Sequence, residues 1–255
     1  MEARDRGSEH ATSKVPQVTL LFWVMKIAAT TLGETGGDAV TMSMNLGYLV
    51  GTAIFAAVFV IFVLAQVRAE RFHASLYWAT IIATTTVGTT MADFVDRSLG
   101  IGYTGGSSLL LVLLLTSLFI WKRTLGTVSV DSVRTPAAEW FYWVTILFSQ
   151  TLGTALGDWT ADSASFGYGG SAIIFGALLA LVAAAYFWTK ISHTALFWAA
   201  FILTRPLGAV LGDLLDKPIE KGGLALSRFA ASGVLLAFIV ICLAAFRQKP
   251  ARTAH

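Results

Sequence analysis

The stretch that determines the fold is Trp23–Asp38, with the sequence WVMKIAATTLGETGGD, because the chain repeats its outline four times. Each copy begins at a tryptophan, carries a glycine ten residues later and ends at an aspartate fifteen residues after the tryptophan. The tryptophans are Trp23, Trp78, Trp143 and Trp198, the glycines are Gly33, Gly88, Gly153 and Gly208, and the aspartates are Asp38, Asp93, Asp158 and Asp213. A spacing kept without insertions is typical of a tandem array.

The composition indicates an integral membrane protein in contact with a lipid bilayer. Of the 255 residues 56% are hydrophobic and 13% are charged, against roughly 25% charged in soluble domains. The basic residues lie in short loops and form no single patch, so nucleic-acid binding is not expected. The chain has no nucleotide-binding loop and no nucleophile constellation, so we expect neither an enzyme nor a cofactor.

Each repeat contains two apolar stretches, which predicts an all-α membrane protein with eight transmembrane helices from four parallel two-helix repeats. The predicted spans are 18–40, 49–67, 75–95, 107–122, 139–161, 171–189, 194–215 and 229–246; the fourth is marginally short for crossing a bilayer. The predicted boundaries are a disordered cytoplasmic tail at 1–17, repeats at 18–70, 71–122, 138–190 and 191–247, a cytoplasmic linker at 123–137 and a second tail at 248–255. Because a repeat has an even number of spans, the repeats share one orientation and are related by an axis along the membrane normal.

The loop charges predict the orientation. Twelve lysines and arginines lie on the side that holds both termini, whereas four lie on the side of the glycine-rich turns that follow the aspartates. Basic loops stay in the cytoplasm, so both termini are expected there. Nothing in the sequence indicates an oligomeric state.

The four aspartates are the main candidate site, because carboxylates inside a membrane are costly and are functional candidates by default. If the tryptophan marks the inner interface, a helical rise of about 1.5 Å per residue places the aspartate about 22 Å into a core of about 30 Å. If the span begins five residues earlier, the aspartate reaches the outer headgroups. The sequence leaves both depths open.

A second acid lies three or four residues from each aspartate, on the same helix face. The pairs are Glu34 with Asp38, Asp93 with Asp96, Asp158 with Asp162, and Asp213 with Asp216. Carboxylate clusters suit hard divalent cations, and like charges held together can carry protons; the alternative is that these acids are helix-end charges.

The basic residues near these acids favour repeats one and three as the working site. Arg97 and Lys217 lie four residues after Asp93 and Asp213 and can neutralise them, whereas Asp38 and Asp158 have no such neighbour. The predicted metal-binding residues are therefore Glu34, Asp38, Asp158 and Asp162, with Asp93 and Asp213 as further candidates on the transport path.

Seven residues after each tryptophan lies a polar side chain: Thr30, Thr85, Gln150 or Arg205. All four are candidates for the transport path, although threonines at this depth also serve as hydrogen-bonding contacts between helices. An arginine inside a membrane needs a carboxylate or a cavity, and Glu34 is its expected partner by depth. Lys26 is expected to extend its amine to the cytoplasmic interface.

The recurring glycines predict close packing between helices. Gly33 and Gly37 are four residues apart, and repeats three and four carry the same pair. Small residues at this spacing let helices approach closely. A helix break near the site is the alternative.

The Trp, Gly, Gly-Asp and Gly-Tyr positions, over about residues 18–246, resemble a bacterial family of multispanning membrane proteins. Its members consist of four tandem copies of a two-span repeat, and their function is unknown. The resemblance implies the eight-span architecture and a place in the bacterial cytoplasmic (inner) membrane. The second repeat departs from the pattern with Ala92 before Asp93, and the fourth turn lacks tyrosine.

The sequence favours a transporter or exporter of a small cation, with a divalent metal such as manganese, exchanged for protons, as the substrate. Glu34-Thr35-Gly36-Gly37-Asp38 is loosely similar to the Glu-x-Gly-Asp-Lys signature of a family of manganese and calcium exchangers, in chemistry and not in kinship. A carrier or channel for another small solute is the first alternative. The second is a membrane scaffold or accessory subunit that transports nothing.

Overall fold

The computed structural model describes residues 13–251, and its long elements are all helices. They are α1 Leu20–Asp38, α2 Gly47–Arg68, α3 Ala74–Asp93, α4 Gly102–Leu125, α5 Pro136–Asp158, α6 Gly167–Trp188, α7 His193–Asp216 and α8 Arg228–Ala245. The eight helices confirm the predicted all-α fold and its two-helix repeats. Residues 1–12 and 252–255, which fall in the predicted tails, lie outside the described residues.

The first helices of the repeats form a closed inner ring. Helix α1 contacts α3 and α7, and α5 contacts the same two helices from the opposite side. The second helix of each repeat packs outside, on the first helix of the following repeat: α2 on α3, α4 on α5, α6 on α7 and α8 on α1. This cyclic order gives the bundle pseudo-fourfold symmetry, as the parallel repeats predict.

The outer helices face lipid. Helices α2, α4, α6, α7 and α8 are long and apolar enough to cross a membrane. The most apolar window of α7, a ring helix, is 67% buried, whereas those of the four outer helices are 11–28% buried. Large apolar side chains such as Ile173 and Val234 are exposed on the outside. The outer helices therefore cover the ring, whose own helices carry most of the polar residues.

Local sequence explains where the helices begin and end. The Thr19 and Thr135 hydroxyls accept hydrogen bonds from backbone N–H groups in the first turns of α1 and α5, which caps these helices. Helices α1, α3 and α5 end at the aspartate and continue into a five-residue π-helical turn. Repeat four instead has a loop after Asp216, with a short 3₁₀ helix at Ile219–Lys221.

The sequence suggested that the glycine-rich stretches after the aspartates are turns between helices, and the structure differs from this expectation. In repeats one to three they form the first turn of the outer helix, and Gly47, Gly102 and Gly167 begin these helices with φ angles of 76°, 70° and 65°. Glycine adopts such angles without a steric penalty. Helix α4 consequently has 24 residues and is longer than the predicted span 107–122.

The glycine ten residues after each tryptophan confirms the close-packing interpretation. Each one lies against the polar side chain that occupies the seventh position after the tryptophan in the next ring helix. The contacts are Gly33 with Thr85, Gly88 with Gln150, Gly153 with Arg205 and Gly208 with Thr30. A Cβ atom on Gly88 would lie 2.9 Å from the Cβ of Gln150, so only glycine allows this approach.

The end of the bundle that holds both described chain ends, hereafter the tryptophan end, is closed by packed segments. The Lys14 amine lies 2.7 Å from the Glu139 carboxylate and donates to the Gln66 backbone carbonyl at 3.3 Å. The Trp198 indole N–H donates to the Val128 carbonyl at 2.9 Å. Residues 13–17 belong to the predicted disordered tail. In the structure residues 13–16 are buried and pack on the ring and the linker.

Candidate functional site

Equal register in the four ring helices produces four layers of buried side chains, one helical turn apart. From the tryptophan end they are Lys26, Ile81, Ile146 and Phe201; then Thr30, Thr85, Gln150 and Arg205; then Glu34, Thr89, Thr154 and Ala209; then Asp38, Asp93, Asp158 and Asp213. All of these residues are 3% exposed or less. We call the last three layers the polar column and the last one the aspartate layer.

Arg205 connects all four repeats. Its two terminal nitrogens each donate to Glu34 Oε2 at 3.1 Å, which confirms the partner expected from the sequence. Its Nη2 also donates to the hydroxyls of Thr89 and Thr154. The guanidinium on α7 therefore binds side chains of α1, α3 and α5, in a region where neither charge reaches solvent.

The aspartate layer is held by two cations, and each of them joins two repeats. The Arg97 guanidinium lies 3.1 Å from Asp93 Oδ1 and 3.2 Å from Asp158 Oδ2. The Lys217 ammonium lies 2.5 Å from Asp38 Oδ2 and 2.9 Å from Asp213 Oδ1.

The expectation that Asp38 and Asp158 lack a basic partner is therefore wrong. Ring closure brings each of them next to a base of the neighbouring repeat, and sequence spacing reveals only partners on the same helix. The presence of a basic partner therefore does not distinguish the aspartates of repeats one and three from those of repeats two and four.

The second acids are not equivalent to one another. Asp216 Oδ2 accepts a hydrogen bond from Arg228 Nε at 2.7 Å. Asp162 is exposed and accepts one from the Tyr103 hydroxyl at 3.3 Å. Asp96 is buried, and its carboxylate lies against Gly106. The expected pairing of acids along one helix face therefore does not recur as four equal sites.

The charges around the polar column leave an excess of carboxylates. Among the described residues six acids meet four bases there: Arg97 and Lys217 each serve two aspartates, Arg205 is paired with Glu34, and Arg228 lies 2.7 Å from Asp216 and 3.9 Å from Asp38. With every carboxylate ionised, two negative charges have no counterion of their own. The acids are Glu34, Asp38, Asp93, Asp158, Asp213 and Asp216.

Glu34, Asp38 and Asp213 form a group in which one carboxylate oxygen of each residue lies within 4.8 Å of the other two. Two of the predicted metal-binding residues, Glu34 and Asp38, belong to this group. Asp158 instead pairs with Arg97, and Asp162 lies at the surface. The sequence analysis made Asp213 a candidate for the transport path and not for the metal site. Asp38, its neighbour across the junction of α1 and α7, is 175 residues away along the chain.

The remaining candidates occupy the layer below Glu34. The Thr30 hydroxyl donates to the Thr204 carbonyl on α7 at 3.2 Å, which is a contact between helices. Thr85 Oγ1 and both polar atoms of the Gln150 amide have no hydrogen-bond partner among the described residues. Thr89 and Thr154, which the sequence analysis did not single out, could have been found by applying the register of Glu34 to repeats two and three.

Lys26 does not reach an interface, contrary to the expectation from sequence. It is fully buried, and its ammonium lies 4.1 Å from the centre of the Phe201 ring. Within residues 13–251 this ammonium has no hydrogen-bond partner. The ring encloses Lys26 because its neighbours in the layer are large apolar residues of the other three helices.

The two ends of the polar column differ in access. At the tryptophan end, the Tyr77 and Tyr142 hydroxyls are 2.6 Å apart within a packed group of aromatic rings. At the aspartate end, the side chains of Arg97 and Arg228 are 29% and 20% exposed. The column is therefore closed by aromatic side chains at one end and reaches partly exposed cations at the other.

These features define an all-α integral membrane protein with a lipid-facing outer shell and a charged centre. The chain belongs to the family described as "Repeat of Unknown Function (DUF347)", whose model matches it four times, at residues 21–72, 76–127, 141–192 and 196–248. Each match covers most of one ring helix and the whole of the outer helix that follows it. Neither the curated proteins nor the solved structures contain a significant match.

Proposed function

We propose that the protein transports a small cation through the centre of its helix ring, and that a divalent metal such as manganese, exchanged for protons, is the substrate. The observation that carries the proposal is the aspartate layer: four buried carboxylates converge from four helices and share two cations. With four carboxylates and two bases, the layer keeps a net negative charge when every carboxylate is ionised, and such a charge favours a cationic solute.

The energetics support this proposal over a purely structural one. Burying an ion without a counterion costs several kcal/mol by rough estimates, and two carboxylate charges of the column have no base of their own. A mobile cation or protons can supply the missing charge. Hard divalent cations prefer carboxylate oxygens, and a cation that must leave again is held by shared ligands.

The proposal includes an orientation. The tryptophan end faces the cytoplasm of a bacterial cell, in its inner membrane, because most lysines and arginines of the connecting segments lie at that end. Both termini are then cytoplasmic. The aspartate layer opens toward the outside.

A reporter that is active only outside the cytoplasm tests the orientation. Fused after Ser165, in the turn between α5 and α6, it is expected to give a signal; fused after Ser129, in the linker between α4 and α5, it is expected to give none. The reason is that four parallel repeats place all aspartates on one side of the membrane. Ser165 lies at that end of the bundle, which faces outward in the proposal, whereas Ser129 lies at the tryptophan end. A signal from Ser129 and none from Ser165 would invert the proposed orientation.

Vesicles with purified protein test transport. Loaded with a metal-sensitive dye, they are challenged with manganese, magnesium, calcium and a pH gradient in turn. Asp38→Asn removes a charged ligand of the carboxylate group, and Asp158→Asn removes a charge of the same aspartate layer, each at constant size. Losing even an outer-shell partner of a metal typically costs about 10–100-fold in affinity, so the initial rate should fall at least tenfold.

Glu70→Gln is the matched control, because Glu70 is exposed and lies outside the polar column. It should keep the parent's rate, and all variants should reconstitute equally. If the aspartate variants transport as fast as the parent, the acids are reduced to helix-end charges. If the parent moves no ion at all, the scaffold alternative replaces the proposal.

A further inference from the structure

The aspartate layer is chemically asymmetric although its geometry is nearly symmetric. One pair of aspartates, Asp93 and Asp158, shares an arginine, whereas the other pair, Asp38 and Asp213, shares a lysine. In residues 13–251 only the lysine pair joins a third carboxylate, that of Glu34, with one oxygen of each residue within 4.8 Å of the others. The two halves of the layer therefore differ both in the cation they hold and in the number of oxygens they present.

The arginine half is fixed by several contacts. Arg97 donates to the Tyr48 hydroxyl at 3.0 Å and to the Tyr103 hydroxyl at 3.3 Å, in addition to its two aspartates. A guanidinium is a planar fork that is pre-organised for such multiple contacts and is always charged. This half of the layer is a permanent ion-pair network.

The lysine half has a compact cation with few contacts of its own, and Arg228 lies beside it, with Nε 3.9 Å from Asp38 Oδ2. The only side chains within bonding distance of the Lys217 ammonium in residues 13–251 are Asp38 and Asp213. An ammonium behaves as a point charge on a flexible stem. It lies between two of the three carboxylates of the group, those of Asp38 and Asp213, so a cation of the protein itself neutralises part of that group.

A second observation points to a ligand at this place. Asp38 Oδ1 is buried and accepts no hydrogen bond within the described part of the chain. Buried polar atoms of native proteins nearly always have a partner. Oδ2 of the same carboxylate already binds Lys217, so Oδ1 is a buried oxygen of this residue that no described hydrogen-bond donor uses.

Lys217 lies directly after the last residue of α7, outside the helix. Helix α7 ends at Asp216, and Lys217 caps it in an extended conformation with φ −71° and ψ 153°. Repeat four has no π-helical turn here, unlike the repeat that carries Arg97. The Lys217 side chain therefore extends from a non-helical residue, and it is 10% exposed.

We infer that the Lys217 ammonium is a tethered counter-cation that occupies the substrate site made by Glu34, Asp38 and Asp213, and that it binds there in alternation with a hard divalent cation. The inference rests on the proposed function and specifies its site. When the metal ion enters, the ammonium moves toward the exposed side of the loop. When the metal ion leaves, the ammonium returns and keeps the carboxylates neutralised.

The test is the binding of divalent ions to Lys217→Gln in detergent, by calorimetry and by the shift of the melting temperature. Manganese, magnesium and calcium chlorides are used separately. Lys217→Gln removes a positive charge that lies 2.5–2.9 Å from the carboxylates, so an incoming cation no longer meets its repulsion. We expect the Kd for at least one of these ions to fall tenfold or more relative to the parent.

Lys221→Gln is the matched control, because it removes an exposed lysine of the same loop. It should bind as the parent does, and adding Asp213→Asn to Lys217→Gln should abolish the gain. An unchanged Kd in Lys217→Gln overturns the inference. If that variant does not fold, Lys217→Arg keeps the charge; a planar guanidinium fixed in the site should weaken binding at least tenfold, and equal binding would likewise overturn it.

The outcomes separate this inference from the proposed function. Tighter binding by Lys217→Gln together with no transport by the parent leaves a cation site in a protein that does not transport, so the proposed function fails alone. Transport by the parent without tighter binding by Lys217→Gln leaves a transporter whose lysine does not compete, so the inference fails alone.

Discussion

Arg205→Met is expected to destabilise the protein by about 3–5 kcal/mol, the usual cost of removing one partner of a buried ion pair. The change leaves the Glu34 carboxylate without a counterion, and the hydroxyls of Thr89 and Thr154 lose their donor. Because this one guanidinium binds all three other ring helices, the loss affects every junction of the ring. Thermal unfolding in detergent, followed by tryptophan fluorescence, measures the effect.

The rescue by a second change makes the prediction specific. Glu34→Gln in the Arg205→Met background removes the unpaired charge and should recover part of the stability. Arg68→Met, at an exposed position, is the control for loss of an arginine and should have little effect. Independent, additive losses from the two ring substitutions would show that the residues do not interact.

Gly208→Leu is expected to cost about 3 kcal/mol or more, at the upper end of overpacking effects. A Cβ at this position would lie 2.5 Å from the Cβ of Thr30 and 2.9 Å from its backbone carbonyl carbon. The backbone of α1 cannot move aside without opening the junction between α1 and α7. Both the melting temperature and the yield of folded protein should fall.

Gly176→Leu is the matched control, because Gly176 also lies within a helix but has no neighbour within 4 Å of an added Cβ. Leucine has a higher helix propensity than glycine, so this variant should be as stable as the parent or slightly more stable. A loss at Gly176 equal to that at Gly208 would contradict the packing explanation.

The repeat register predicts much of this architecture. A constant spacing from tryptophan to aspartate requires that like residues lie at like depth, which yields the buried layers and the pair of Glu34 with Arg205. Two kinds of glycine recur in each repeat. Those before the aspartate pack against a neighbouring ring helix, whereas those after it begin the outer helix in repeats one to three. Sequence reasoning missed that distinction and took the latter for turns.

The ion pairs of the aspartate layer could not be derived in the same way. Spacing along one helix identifies Arg97 with Asp93 and Lys217 with Asp213, and the structure contains both pairs. Their second partners depend on which helices adjoin in the ring, which is a tertiary property. The burial of Lys26 has the same origin: its apolar surroundings come from other helices, whereas its own sequence suggests an interface.

The bridging cations have a consequence for how the chain divides. Arg97 in the first two repeats binds Asp158 in the last two, and Lys217 in the last two binds Asp38 in the first two. The outer helices do the same, since α4 packs on α5 while α8 packs on α1. Each half therefore makes the same kind of contact with the other half as it receives from it. Such reciprocal contacts are characteristic of an isologous interface related by a twofold axis. The molecule has the contacts of a homodimer of two-repeat halves, joined into one chain by the segment between α4 and α5.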